Sequence, residues 1–142
     1  MVSPSPAALV DRYLQLCEDR ELAAASAFLA PGARLNFPGG RTHPSLAAMA
    51  AAASGAYQWV RKRRDRYFEA AGDGADQVVI SLGTLYGEDL AGEPFSGVRY
   101  ADVFVLRDGL IVEQNVFNDL PEAGIVPVPT PQIAGSNEVP NP

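Results

Sequence analysis

The sequence has a single cysteine, a single histidine and no long apolar run, and each shortage excludes a class of answers. Cys17 has no partner for an internal disulfide, so a reducing, cytoplasmic setting is expected. A protein metal site needs more histidine, cysteine or clustered carboxylate than stands here, so no metal is expected, and no cofactor is implied. The longest small-apolar run, Leu46 to Ala53, is too short to span a bilayer. The opening MVSPSPAALVDRY lacks the basic and apolar regions of a secretion signal, so neither export nor a membrane partner is expected. Basic charge is also scarce. With 11 Lys and Arg against 17 Asp and Glu, the net charge of −6 argues against nucleic acid as a partner.

What is present fits one ordinary domain, with 47% hydrophobic residues in 142 to build a core. Pro6 to Asp19 predicts a helix, because Val10, Tyr13, Leu14 and Cys17 recur at i, i+3, i+4 and i+7. Arg20 to Leu29 predicts a shorter helix stopped by Pro31-Gly32, and Ala33 to Phe37 a short strand. PGGRTHP is a loop. Pro44 suits the first turn of a third helix running through SLAAMAAAASGAYQ. The period then changes to two. Val60–Ala70, Gln77–Tyr86, Phe95–Leu106 and Leu110–Asn118 are strand candidates. Six of the 12 prolines lie from Pro121 onward, which predicts an extended or disordered tail over 121–142. Three helices followed by long antiparallel strands predict an α+β fold with the helices on one face of the sheet.

The last two strands carry a chemical pattern. RDG between Leu106 and Leu110 suits a three-residue turn with Gly109 left-handed. That register sets Phe104 against Val112, Asp102 against Gln114, Tyr100 against Val116 and Val98 against Asn118. A two-residue Asp-Gly turn would instead set Asp102 against Asn115. By alternation, one face holds Val98, Tyr100, Asp102, Phe104, Val112, Gln114, Val116 and Asn118, apolar at both ends and polar in the middle. Such a face suits the lining of a concave pocket, where an inward Asp has a raised pKa through desolvation. The plainer reading is that Asp102 is a buried polar residue satisfied by Gln114 or a backbone N–H.

The element order, with DRYLQLCEDRELAAASAFLAPGARLNFPGG at its start and ADVFVLRDGLIVEQNVFND at its close, resembles the nuclear-transport-factor-2-like superfamily over roughly residues 6–120. That superfamily includes ketosteroid isomerase, scytalone dehydratase, limonene epoxide hydrolase and the SnoaL-like polyketide cyclases. FPGG, GTLYGEDLAGEPFSGVRY and VFNDL resemble an uncharacterised bacterial subgroup. The resemblance implies a cone: three helices packed on a strongly curved, mostly antiparallel sheet enclosing one pocket. It also implies roles. Tyr13, in DRYLQL, matches the isomerase's helix-1 tyrosine, and Asp102, in YADVF, its protonated aspartate; together these donate to a developing enolate. The isomerase's base aspartate is absent, because LNFPGG holds Asn36 and Phe37 instead. The Arg-x-Asp of the epoxide hydrolase and the two histidines of the dehydratase are absent as well.

Three features remain open between two readings. His43, near where the family's pocket opens, is a general acid or base, or else a surface or capping residue. RKRRDR (61–66) is a solvated strand face, or else turns one arginine inward to grip an anion, with Lys62, Arg64 and Arg66 sharing a face. Tyr57 and Trp59 close the third helix as core residues or line the pocket edge. The expected function is a cofactor-independent isomerase, lyase or cyclase acting on a carbonyl compound through an enol or enolate. Asp102 and Tyr13 would bind the oxygen, His43 or Asp102 would move the proton, and Tyr100, Gln114, Asn118, Phe37 and Trp59 would line a hydrophobic small-molecule site. The alternative is a non-catalytic ligand-binding or dimerisation module. The outer sheet face, with Ala101, Val103 and Phe117, suits a homodimer contact.

Overall fold

The computed structural model describes residues 4–127. The chain runs α1 (Pro6–Glu18), α2 (Leu22–Ser26), β1 (Leu29–Phe37), β2 (Arg41–His43), α3 (Leu46–Ala53), β3 (Tyr57–Ala71), β4 (Gln77–Asp89), β5 (Pro94–Arg107) and β6 (Leu110–Asn118). One six-stranded sheet is ordered β2-β1-β6-β5-β4-β3. All neighbours are antiparallel except β1 with β6. This is the expected α+β architecture, a curved open sheet with the helices against its inner face.

Several boundaries differ from expectation for local reasons. The second helix ends at Ser26, because Leu29 already pairs with Ile111 in β6; Pro31 and Gly32 fall in an irregular stretch between paired Leu29 and Arg34. The loop after β1 contains a short strand, with Leu35, Asn36 and Phe37 pairing His43, Thr42 and Arg41. Ser45 caps the third helix, its hydroxyl accepting from the Ala48 N–H at 3.1 Å, so Pro44 lies before the helix and not within its first turn. That helix stops at Ala53, and Tyr57 to Trp59 belong to β3. Residues 128–142 of the expected tail lie outside the described residues.

Helix α1 has two working stripes. Ser5 caps it and Pro6 opens it. Val10, Tyr13 and Leu14 are buried on one side, and pack with Leu35, Val79, Phe104, Leu106 and Ile111 of the sheet. A second stripe at i, i+4, i+7 holds Asp11, Gln15 and Glu18. All three accept from the Arg64 guanidinium, at 2.7, 2.7 and 2.8 Å. Tyr67 donates to Asp11 at 2.6 Å. The helix is therefore seated by apolar burial and latched to β3 chiefly through Arg64, with Tyr67 and the Lys62 backbone N–H adding to it.

The β5–β6 hairpin keeps the expected face but by another route. Its turn is two residues long, Asp108 (φ 53°) and Gly109 (φ 76°), and joins Arg107 to Leu110. A bulge between Val105 and Leu106 in the pairing then takes up one extra β6 residue. Phe104 consequently faces Gln114, Asp102 faces Val116 and Tyr100 faces Asn118, a correction of two positions to the expected register. A shift of two preserves parity, so Gln114, Val116 and Asn118 still face inward. Ile111, and not Val112, is the fully buried residue.

Sheet curvature has a steric origin in β4. A Cβ placed on Gly83 would lie 1.9 Å from the Arg63 carbonyl oxygen, and one on Gly87 2.1 Å from that of Trp59. Each glycine sits where β3 is irregular: Gly83 faces Arg64 beside the bulge before Arg66, and Gly87 faces Val60 near the one between Tyr57 and Trp59. Bulges bend and overtwist a strand, and a partner without a Cβ allows the bent backbone to come close. Gly83→Ala is expected to destabilise the fold by about 3 kcal/mol or more, because the clash is with backbone and not with a flexible side chain. Thermal unfolding of Gly83→Ala and of Gly55→Ala, where an added Cβ meets nothing nearer than 4.0 Å, tests this; equal losses would exclude the steric cause.

Candidate functional site

Inward residues of β1, β3 and β6 meet α1 and α3 around a two-part cavity. The inner chamber, about 130 Å³, is bordered by Tyr13, Cys17, Lys62, Gln114, Val116 and Asn118. The outer chamber, about 390 Å³, is bordered by Phe37, His43, Met49, Tyr57, Leu120 and Val126 among others. Phe37, Met49, Tyr57 and Asn118 border both, so the two adjoin. The outer part is mostly apolar. The inner part carries the polar groups.

Asp102 lies at the centre of β5, with 0% of its surface exposed. It borders neither chamber. Among the described residues neither of its carboxylate oxygens has a hydrogen-bond partner. Its one charged neighbour is Lys62, whose Nζ lies 3.5 Å from Oδ2. Lys62 comes inward from β3, 22% exposed, passes over the Tyr100 ring at 5.2 Å from the centroid, and reaches the inner chamber. Burial pushes the Asp102 carboxyl above the usual carboxylate range, and Lys62 pulls it only part of the way back. Burial also pulls the Lys62 ammonium down, but Asp102, Tyr100, Tyr57 and Glu18 together outweigh it and leave the group above its ordinary value. The ammonium is therefore firmly charged.

The two amides of β6 are oriented by their oxygens. Tyr13 donates its only proton to Gln114 Oε1 at 2.6 Å. The Leu120 N–H donates to Asn118 Oδ1 at 3.1 Å. Among the described residues neither amide nitrogen has a protein acceptor, and both residues border the inner chamber. Burial, with Cys17 and Asp102 adding to it, pushes the Tyr13 phenol up and keeps it protonated. Burial likewise raises the Cys17 thiol. Glu18 also borders the inner chamber, but its carboxylate accepts from the Lys62 backbone N–H and from Arg64, and lies 3.5 Å from Arg61. The chamber wall thus offers one ammonium and two amide donors to an oxygen-bearing ligand.

The sequence-predicted residues divide into three groups. Tyr13, Gln114, Asn118 and Phe37 border the chambers, and His43 borders the outer one, packed edge-on against Phe37 at 4.9 Å. Asp102 and Tyr100 lie behind Lys62; the Tyr100 hydroxyl is hydrogen-bonded to that of Ser81 at 2.8 Å. Trp59 is the exception. It is 40% exposed on the outer side of β3 and borders a separate groove with Arg63, Tyr86 and Phe95, because strand alternation turns it away from Val60 and Lys62. In the basic run, Arg64 is consumed by α1, and the bulge at Asp65 breaks the alternation, so Arg66 stacks outward on Phe68. The cation that reaches the chamber is Lys62, which sequence reasoning grouped with the arginines without singling it out. Its signal was alternation from Val60.

No group of three or more metal-ligating side chains and no helix long and apolar enough to cross a membrane occurs among the described residues. The family model for the SnoaL-like domain matches residues 10–114, most of the chain. The chain belongs to the SnoaL-like domain family. No curated protein sequence matches it. Solved structures similar to this SnoaL-like domain include TerC co-crystallised with polyporic acid, at 16% identity, TM-score 0.70, covering 83% of this chain and 94% of that one. A nuclear-transport-factor-2-like protein of unknown function from Burkholderia pseudomallei is similar at 20% identity, TM-score 0.68, covering 84% and 95%. A candidate polyketide cyclase from Xanthomonas campestris is similar at 19% identity, TM-score 0.59, covering 82% and 92%. At these identities the likeness is one of fold.

Removing Lys62 tests the buried pair. Lys62→Met leaves the Asp102 carboxyl buried and unpaired, which raises its folded pKa further above the unfolded value. The stability of the variant is then fully present below the unfolded pKa and is lost as pH rises through the folded one. Urea unfolding is expected to show a deficit of about 3 kcal/mol against wild type near pH 8, shrinking toward about pH 5. A deficit independent of pH would mean that loss of Lys62 leaves the protonation of folded Asp102 as it is in wild type.

Proposed function

We propose that this SnoaL-like domain is a cofactor-independent isomerase, lyase or cyclase of small molecules, acting on a carbonyl compound through its enol or enolate. The observation that carries this is the orientation of the chamber donors by buried partners: Asp102 stands behind Lys62, and the Tyr13 phenol behind Gln114. In this reading the substrate oxygen sits against the Lys62 ammonium and the Gln114 amide, and Asn118 fixes the ligand's other polar group. Asp102 and Tyr13 are then positioning residues and not direct donors. Preorganised donors in a water-poor site stabilise a developing oxyanion far better than water does. His43, at the outer chamber, is the group assigned to move the proton between carbon and solvent. TerC, a similar fold, is co-crystallised with polyporic acid, which supports a small-molecule ligand here. The outer sheet face, with Ala101, Val103 and the 59% exposed Phe117, is assigned to a homodimer contact.

One observation favours a second reading, a binding module without turnover. Glu18, the carboxylate at the inner chamber, is held by arginines and a backbone N–H, which leaves no free carboxylate base there among the described residues.

Hydrogen–deuterium exchange at the α-carbon of 2-tetralone, followed by NMR, separates the two readings, with the affinity for substituted phenols as enolate mimics measured alongside. The enzyme reading expects accelerated exchange that falls about 100-fold in Lys62→Met. It expects exchange to fall in His43→Gln while phenols still bind. Phenol binding without exchange supports the module, and no phenol binding by the folded wild type removes the oxyanion site.

A further inference from the structure

We infer that the ligand of the inner chamber is an anion, and that it takes Lys62 from Asp102, which accepts a proton as the ligand binds. This rests on the chamber reading above and adds the charge of the ligand and its proton linkage.

Two observations lead here. Asp102 is fully buried, and both its oxygens lack hydrogen bonds among the described residues, so Lys62 is what holds its charge. The same Nζ also forms part of the chamber wall, at 3.5 Å from the carboxylate and not in a tight charge-assisted contact of about 2.8 Å. One cation therefore serves two faces, a buried carboxylate behind and a cavity in front.

The groups around the pair determine how it responds to an arriving anion. From α1, Tyr13, Cys17 and Glu18 face the pair, with Arg20 at the chamber edge; from β3, Tyr57 and Arg64; from β5, Tyr100; from β6, Gln114. Glu18 is already neutralised by Arg64 and Arg61. Arg64 is committed to α1, and Arg20 bonds the Cys17 carbonyl at 3.0 Å. Arg20 and Arg41 have no carboxylate partner among the described residues but are exposed to water at the cavity's edges, where their charge is screened, so Lys62 is the inward cation that meets a second negative charge. Two carboxylate-like charges cannot share one ammonium in a buried site without one of them taking up a proton. The ligand oxygen sits in the chamber with Gln114 and Asn118 to solvate it, whereas Asp102 has no donor but Lys62. Asp102 is thus the one that is neutralised. The balance is simple: ligand anion plus one proton from solvent plus protein gives a complex with neutral Asp102 and an ammonium–anion pair. The apolar outer chamber adds the rest of the ligand class, an acidic enol, phenolate or carboxylate on a hydrophobic body.

The test is isothermal titration of the full chain with 2-naphthoate, in two buffers of different ionisation heat, between about pH 6 and pH 9, with neutral 2-naphthamide as control. The expected result is naphthoate binding well above naphthamide, with uptake approaching one proton and affinity falling tenfold per pH unit where uptake is complete. Asp102→Asn is expected to bind naphthoate at least about tenfold more tightly at the alkaline end and without the pH dependence. Lys62→Met is expected to lose binding. Naphthoate lost in Lys62→Met but bound by wild type without proton uptake at any pH would overturn the exchange and leave the chamber reading intact. No naphthoate binding by a protein that binds phenols would do the same. Naphthoate binding unchanged in Lys62→Met would overturn the chamber reading and the proton exchange together. Because uptake is read on wild type, the test does not depend on Asp102→Asn folding.

Discussion

The structure depends on how closely β3 approaches β4. With a side chain at Gly83 or Gly87, the carbonyls of Arg63 and Trp59 could not come so near, and the strand could not bend at its two irregularities. The bend does more than shape the sheet. It carries the inward side of β3 over the helix layer, so that Arg64 meets three residues of α1 and Lys62 reaches over Tyr100 toward Asp102. A flat sheet would leave these cations in water, where each pairing contributes little. Curvature converts a run of surface charge into one latch and one buried ion pair.

The latch and the pair differ in kind. Arg64 has its fork filled by Asp11, Gln15 and Glu18, and Tyr67 shares Asp11, so each guanidinium nitrogen has an acceptor. Lys62 and Asp102 lack that completeness, since the carboxylate has an ionic neighbour and no hydrogen bond among the described residues. Incomplete satisfaction in a low-dielectric site is costly. It also makes the arrangement easy to perturb by anything that offers the ammonium a better partner.

Much of this was legible in the sequence, and the misses have identifiable causes. Alternation placed Tyr100, Asp102, Gln114 and Asn118 inward, and they are inward. Pairing across the hairpin was not legible. Ile111 and Val112 are both apolar and β-branched, so nothing in the residue types says which is squeezed out, and only the parity of the face survives the bulge. Trp59 was misplaced because the third helix ends at Ala53, at the Ser54-Gly55 stop, and β3 already begins at Tyr57. Lys62 was on the correct face. What hid it was Arg64, an equally inward and more obvious anion-binding candidate. The stripe Asp11, Gln15, Glu18 already present on α1 would have claimed that arginine, had the two elements been considered together.

Stability alone does not explain a lysine and an aspartate at this place. Apolar residues of similar volume at a buried pair are often as stable or more so, while the loss of one partner is costly. Tyr100, Val116 and Phe104 surround the position with apolar surface that such residues could join. What the pair supplies, and an apolar pair would not, is a permanent positive charge held at the wall of a cavity, with its counter-ion on the side away from the ligand. The amides point the same way. Gln114 and Asn118 are each fixed through their oxygen, so the nitrogen end is what remains for a ligand in the chamber. Three independent elements, β3 with its ammonium, α1 with its phenol and the turn after β6 with its backbone N–H, converge on one outcome: a small polar chamber whose wall offers hydrogen-bond donors and positive charge, behind a larger apolar one.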